Sequence, residues 1–179
     1  MRAICAALAC GLSMLTGSAF GMDVRSHDMA DGGRLANQQV YSDCNGDNIS
    51  PTLLWSGAPA DTKSFAVTLY DPDSKPRGWW HWIAFDIPAN VASLTRGAGA
   101  SGSVGLPPGT IQGDNDFSQN AYGGACPPQG SGAHHYQFTV WALDTASLPF
   151  DAGVTGVAIG PYLKQHALAQ ATLTALYQR

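Results

Sequence analysis

Three stretches of the chain alternate apolar and polar positions with a period of two. In residues 63–70, Phe65, Val67 and Leu69 fall on one side and Ser64, Ala66 and Thr68 on the other. Residues 82–87 repeat the pattern with Ile83, Phe85 and Ile87, and residues 135–143 do so with Tyr136, Phe138, Val140 and Ala142. Period-two alternation rich in aromatic and β-branched residues marks half-buried strands. Separated by Gly/Pro-rich turns, such strands predict an all-β fold, a sandwich of two antiparallel sheets with long Gly/Pro-rich loops. Residues 97–124 are dominated by Gly, Ser, Asn, Asp and Pro and read as a loop wrapped over the surface. The period changes in residues 161–179. There Leu163, Ala167, Leu168, Ala171 and Leu176 recur at helical spacing behind Pro161, which predicts a C-terminal helix packed on the sandwich. No internal repeat and no interdomain linker interrupts the pattern.

The first residues follow a different logic. Met1-Arg2 opens with a positive charge, residues 3–15 are uncharged and largely apolar, and Ser18-Ala19-Phe20-Gly21 supplies small residues of the kind a signal peptidase reads. Residues 1–21 are therefore expected to be a signal peptide, leaving one domain over 22–179. The apolar run is shorter than the roughly 20 residues a membrane span needs, and no later run replaces it, so no integral membrane segment is expected after cleavage. The expected location is the periplasm or the exterior. Export would leave Cys44 and Cys126 as the remaining cysteines, a candidate disulfide closing a loop of about 80 residues and contributing on the order of 4 kcal/mol. The other reading makes them two independent small core residues. Two cysteines do not make a structural zinc site unaided.

Composition narrows the chemistry. Gly and Pro, 21 and 11 of 179 residues, are too frequent for a helical bundle, while 45% hydrophobic content is too high for a disordered chain. All 13 acidic residues are aspartates, which excludes an H-E-x-x-H metal motif and any glutamate base. A net charge of −4 with nine Lys and Arg offers no basic patch for nucleic acid.

Candidate chemistry gathers at strand ends. Asp71 continues the Phe65–Val67–Leu69 parity, His81 precedes Ile83, Phe85 and Ile87 in the same way, and His134 and Tyr136 open the third strand on the Phe138 side. Polar residues standing where apolar ones are due require partners, water or a ligand, since an unsatisfied buried polar group costs about 1–3 kcal/mol. Two imidazoles, a phenol and the backbone amides of Gly123 and Gly124 form a donor set for phosphate, sulfate or carboxylate, with Asp71 favouring a protonated imidazole. An imidazolium donor would make binding weaken as pH rises. Pro127 and Pro128 supply a stiff apolar wall, Trp79 or Trp80 a flat one, and Lys75 and Arg77 lie where they would draw anions to the mouth.

These segments resemble the phosphatidylethanolamine-binding protein family, and within it the bacterial Raf-kinase-inhibitor-like branch. The likeness is carried by Asp71-Pro72-Asp73, Trp79-Trp80-His81-Trp82, Tyr122-Gly123-Gly124 with Cys126-Pro127-Pro128 and Gly130, His134-His135-Tyr136, and the block from Cys44 to Pro51 with Trp55. It implies a two-sheet sandwich with a small anion pocket formed by Asp71, Trp79, His81, Gly124, Pro127, Pro128, His134 and Tyr136, and no cofactor or metal. Tyr177 is left outside that set. Ala125 stands where bacterial members often carry proline, and His135 where arginine is usual, on the outward side of its strand.

The first functional reading is an exported module binding a small anionic ligand, phosphate or a phosphorylated headgroup. Regulation or inhibition of a partner protein, kinase or protease, is implied by the resemblance. The alternative is an enzyme, metal-dependent or acid–base, built on Asp71, His81 and His134, which have the composition of a two-histidine, one-carboxylate site. Against hydrolysis, no G-x-S-x-G elbow is present and no serine lies in an activating strand-end context. A third reading makes Trp79, Trp80 and Trp82 an exposed contact patch for carbohydrate or protein.

Overall fold

A computed structural model of the chain describes residues 21–179, so the expected leader over 1–21 lies outside the described residues apart from Gly21. The described strands are β1 (Asp23–Arg25), β2 (Leu53–Ser56), β3 (Ser64–Asp71), β4 (Trp79–Pro88), β5 (Ser93–Leu94), β6 (Ile111–Gln112), β7 (His134–Leu143) and β8 (Ala167–Tyr177), with helix α1 (Gly156–His166) before the last. They form two antiparallel sheets, β1-β2-β5 and β6-β4-β3-β7-β8. The sandwich read from the alternation is therefore the observed architecture.

The alternation also sorts the core. Phe65, Val67 and Leu69 of β3, Phe138 and Val140 of β7, and Leu173 and Ala175 of β8 pack between the sheets against Val24, Leu53, Trp55 and Leu94. The opposite parity, with Ala66, Ile83, Phe85, Trp141 and Leu143, packs on the far side of the large sheet against Ile159 and Leu163 of α1. Gly156 and Gly160 lie against the Trp80 ring, and a Cβ at Gly156 would come within 2.1 Å of it. Both faces of the five-stranded sheet are covered, which explains why strands 3, 4 and 7 are buried almost throughout.

The chain's last twenty residues correct the expectation. The helix begins at Gly156, carries Pro161 inside it rather than at its start, and ends at His166. Residues from Ala167 onward form an eleven-residue strand paired with β7 from Leu143↔Ala167 to His134↔Tyr177. Ala171, Leu173 and Ala175 are buried at steps of two while Thr172 and Thr174 face away. Small and β-branched residues satisfy both periods on paper, and pairing along the whole of β7 decides between them. The 97–124 segment is likewise more than a surface wrap. It contributes β6, buries Ala98, Asn115 and Tyr122, and anchors Tyr122 through its hydroxyl, which donates to the Gln39 carbonyl at 2.8 Å.

Among the described residues no helix is long and apolar enough to cross a membrane.

Candidate functional site

One end of the large sheet brings the candidate residues together. Asp71 closes β3 and pairs with Trp79 at the start of β4, while His134 opens β7. His81 reaches the same place by a bulge. Leu69 pairs with Trp82 and Tyr70 with Trp80, so His81 is an extra residue without a partner across the strand. That bulge reverses the expected parity: Ile83 and Phe85 face α1, whereas His81 turns to the Asp71 side with its ring 5.2 Å from that of Tyr136, edge to face.

A cavity of about 240 Å³ opens here, lined by Asp71, Ser74, Trp79, His81, Phe117, Cys126, Pro127 and Pro128. Asp71 is buried, and its carboxylate is fully engaged. One oxygen accepts from His134 Nδ1 at 2.7 Å, the other from the amides of Asp73 and Ser74 at 2.9 and 3.3 Å. This carboxylate therefore caps the 72–78 loop and orients His134 in one stroke.

Beyond His134, Ser131 Oγ lies 3.0 Å from Nε2 and donates its hydrogen to the Pro128 carbonyl at 2.8 Å. A serine thus stands beside a histidine–aspartate pair, which sequence alone does not reveal. Its single hydroxyl hydrogen is directed at a carbonyl instead of the imidazole, unlike a nucleophile activated by its base. Among the described residues no group of three His, Cys, Asp or Glu is placed to hold a metal ion.

The two glycines act differently from expectation. The Gly123 amide donates to the His81 carbonyl and the Gly124 amide to Asn48 Oδ1, both at 2.8 Å, so neither is free for a ligand. Their carbonyls instead hold His81 Nδ1, at 2.9 and 3.0 Å. Glycine is required at 124 because a Cβ would lie 2.4 Å from the Gln39 carbonyl oxygen. Burial pushes the His81 imidazole down to about 4, against the Gly123 carbonyl bond and the Asp71 charge that pull it up. The His81 ring is therefore neutral at pH 7, and the imidazole that Asp71 holds is that of His134. Burial, reinforced by Asp71, raises the Tyr136 phenol well above its ordinary range, so it keeps its hydrogen.

Among the described residues six buried side-chain nitrogen and oxygen atoms lack a hydrogen-bond partner, on Gln39, Trp55, Thr110, Trp79 and Tyr136. Trp79 Nε1 and the Tyr136 hydroxyl are the two at this end of the sheet, and the Tyr136 oxygen lies beside the Cys126 amide, which leaves its own hydrogen unpaired. Expected site residues Asp71, Trp79, His81, Pro127 and Pro128 line the cavity, with His134 and Tyr136 immediately behind. Sequence reading missed Phe117, whose ring stacks on Tyr41 at 4.2 Å and meets Trp79 and His81 edge-on at 5.4 Å. Asn115 places it by accepting from the Phe117 and Gln119 amides and donating to the Ala121 carbonyl. Arg77 is drawn toward Asp116, at 3.5 Å. The tryptophans form no exposed patch: Trp82 is fully buried, its Nε1 donating to Gln112 at 2.7 Å, and Trp80 packs under α1.

A larger recess of about 620 Å³ lies on the opposite face of the sheet, beside α1. Lys164 is its one charged residue, and its threonines are already engaged, Thr139 with Thr172 at 2.9 Å and Thr68 with Trp141 at 3.0 Å. The smaller cavity holds the convergent polar chemistry.

Depressed titration at His81 has a measurable consequence. The unfolded imidazole, near 6.5, takes up a proton before the folded one does at about 4. Stability should therefore fall as pH drops through that window, by about 3 kcal/mol from this residue. Urea unfolding of the parent and of His81→Asn at pH 7.5 and 4.5 isolates the effect. A parent–variant difference that stays constant between the two pH values would refute it.

A two-sheet antiparallel sandwich with a polar rim cavity backed by a buried Asp–His pair is a ligand-binding scaffold. The sequence profile of the phosphatidylethanolamine-binding protein family matches residues 25–178, and the chain belongs to that family. It is 45% identical over 163 residues to YbcL of Escherichia coli K12, covering 89% of each chain, and 43% identical over 159 residues to YbhB of the same organism, covering 87% of this chain and 99% of that one. The crystal structure of E. coli YbcL, described as a new member of the mammalian family, superposes with a TM-score of 0.87 over 89% of this chain and 99% of that one. A Chlamydia trachomatis homologue, CT736, is 27% identical with a TM-score of 0.73, over 89% and 98% of the two chains.

Proposed function

We propose that this protein is an exported binding protein whose rim cavity takes a small oxyanion, phosphate or a phosphorylated headgroup, and that occupancy regulates or inhibits a partner protein. The observation that carries the reading is Trp79 Nε1, a buried donor without a partner on a cavity-lining residue, together with the unpaired hydroxyl hydrogen of Tyr136 behind His81. Each costs about 1–3 kcal/mol if nothing ever satisfies it, and an anionic acceptor satisfies both. Pro127, Pro128 and Phe117 exclude water around them, which strengthens hydrogen bonds to a bound anion. The 1–21 leader pattern supports export, and a Cys44–Cys126 disulfide suits an oxidising compartment.

Titration with millimolar phosphate and O-phosphoethanolamine, followed by NMR at His81, His134 and the Trp79 indole, tests the reading. The Trp79 Nε1–H resonance should move downfield with saturation, together with the His81 ring. Unmoved resonances at every ligand concentration would dismiss the pocket as an anion site.

A further inference from the structure

Resting on that reading, we propose that the cavity selects an oxyanion that keeps one hydroxyl, such as a phosphomonoester monoanion, over fully deprotonated anions and phosphodiesters. The choice follows from counting hydrogens. His81 Nδ1 faces two carbonyl oxygens, Gly123 and Gly124, and a carbonyl only accepts, so the ring hydrogen resides on Nδ1. The other nitrogen, Nε2, makes no hydrogen bond to any of the described residues and belongs to a cavity-lining residue. In the neutral ring it is a bare acceptor.

The groups around the ring keep it so. Asp71 from β3, Asp116 from the 115–119 loop and Tyr136 with His134 from β7 are the titratable neighbours. Asp71 and Asp116 pull toward protonation, and full burial outweighs them. Among the described residues no lysine or arginine lines the cavity, whereas Asp71 does.

A ligand therefore meets a mixed wall: a donor in Trp79 Nε1, an acceptor in His81 Nε2 and the nearby negative charge of Asp71, with the unpaired Tyr136 hydroxyl hydrogen behind His81. A monoester monoanion matches it, since its unprotonated oxygens accept from the donors while its P–OH donates to the imidazole. Sulfate and phosphodiesters carry no hydrogen to donate and would set an oxygen lone pair against that of Nε2. A dianion adds repulsion from Asp71. Intact phospholipid headgroups are diesters, and free phosphomonoesters are not, so the same rule separates those two sources.

Calorimetry on the disulfide-intact protein tests this with O-phosphoethanolamine, dimethyl phosphate and sulfate at pH 5.5 and 7.5. The monoester loses its last proton near pH 6, so its affinity should fall by roughly tenfold per pH unit above that point. At pH 5.5 it should bind at least tenfold more tightly than dimethyl phosphate or sulfate. Equal binding of all three at pH 5.5, or monoester affinity that holds or rises to pH 7.5, overturns the selectivity while leaving an anion pocket. No binding by any of them at either pH overturns the pocket and the selectivity together. Nitrogen-15 spectra of His81 in the monoester complex should retain a neutral Nδ1–H ring, and an imidazolium signature there would place the proton on the protein and refute the rule.

Discussion

Replacing Asp71 with alanine should destabilise the protein by about 3–5 kcal/mol at pH 7 and abolish the proposed anion binding. The carboxylate is buried and serves three donors at once, His134 Nδ1 and the amides of Asp73 and Ser74. Removing one member of a buried, hydrogen-bonded pair strands the other, and that desolvation loss dominates. The 72–78 loop then loses its cap, and Trp79, paired with Asp71 across the strands, loses its position in the wall. Urea unfolding with linear extrapolation reads the cost. A variant within about 1 kcal/mol of the parent would show that the pair is dispensable. Asp71→Asn separates charge from shape: it keeps an acceptor for His134 but turns its NH₂ toward the Asp73 and Ser74 amides, costing about 1–3 kcal/mol. Without the negative charge it should also bind sulfate better than the parent does.

The site was legible wherever strand ends placed polar residues on an apolar parity, as at Asp71, His134 and Tyr136. His81 was found by a parity that does not hold. Ile83 and Phe85 face α1, and the bulge at 81 turns the imidazole to the other side. An inserted residue has no signature in an apolar/polar pattern, because alternation resumes on either side of it. Strand β8 was misread for a related reason: alanine fits either period, and the partner that decides lies on β7. Phe117, Asn48 and Ser131 carry no strand-parity signal because loop hydrogen bonds place them: local ones from Asn115 to Phe117 and from Ser131 to Pro128, and one across 76 residues between Asn48 and Gly124. The family resemblance recovered Gly124 as important without revealing its role, which is a carbonyl for His81 and a backbone that tolerates no Cβ.

Reducing the Cys44–Cys126 disulfide, or replacing both cysteines with alanine, should cost about 4 kcal/mol, because the bond closes a loop of 82 residues that the unfolded chain otherwise leaves open. The Cα atoms lie 5.6 Å apart, well within the range for a bridge. That loop contains β2 to β6, so the cross-link restrains segments of both sheets in the unfolded ensemble. In the folded state the 124–126 segment is also held by backbone bonds, Tyr41 amide to Ala125 carbonyl at 3.0 Å and Ala125 amide to Gln39 carbonyl at 3.2 Å. The reduced protein should therefore keep its sheet content in buffer and fail earlier in urea. Its cavity should loosen as well, since Cys126 is part of the wall and precedes Pro127 and Pro128. Urea midpoints with and without reductant, beside a free-thiol count, measure the effect, and the Cys44→Ala/Cys126→Ala variant should not respond to reductant. A parent whose midpoint stays put after complete reduction would remove the disulfide from the account of stability. A shift of the expected size would instead make the cross-link a principal contributor to the stability of the fold.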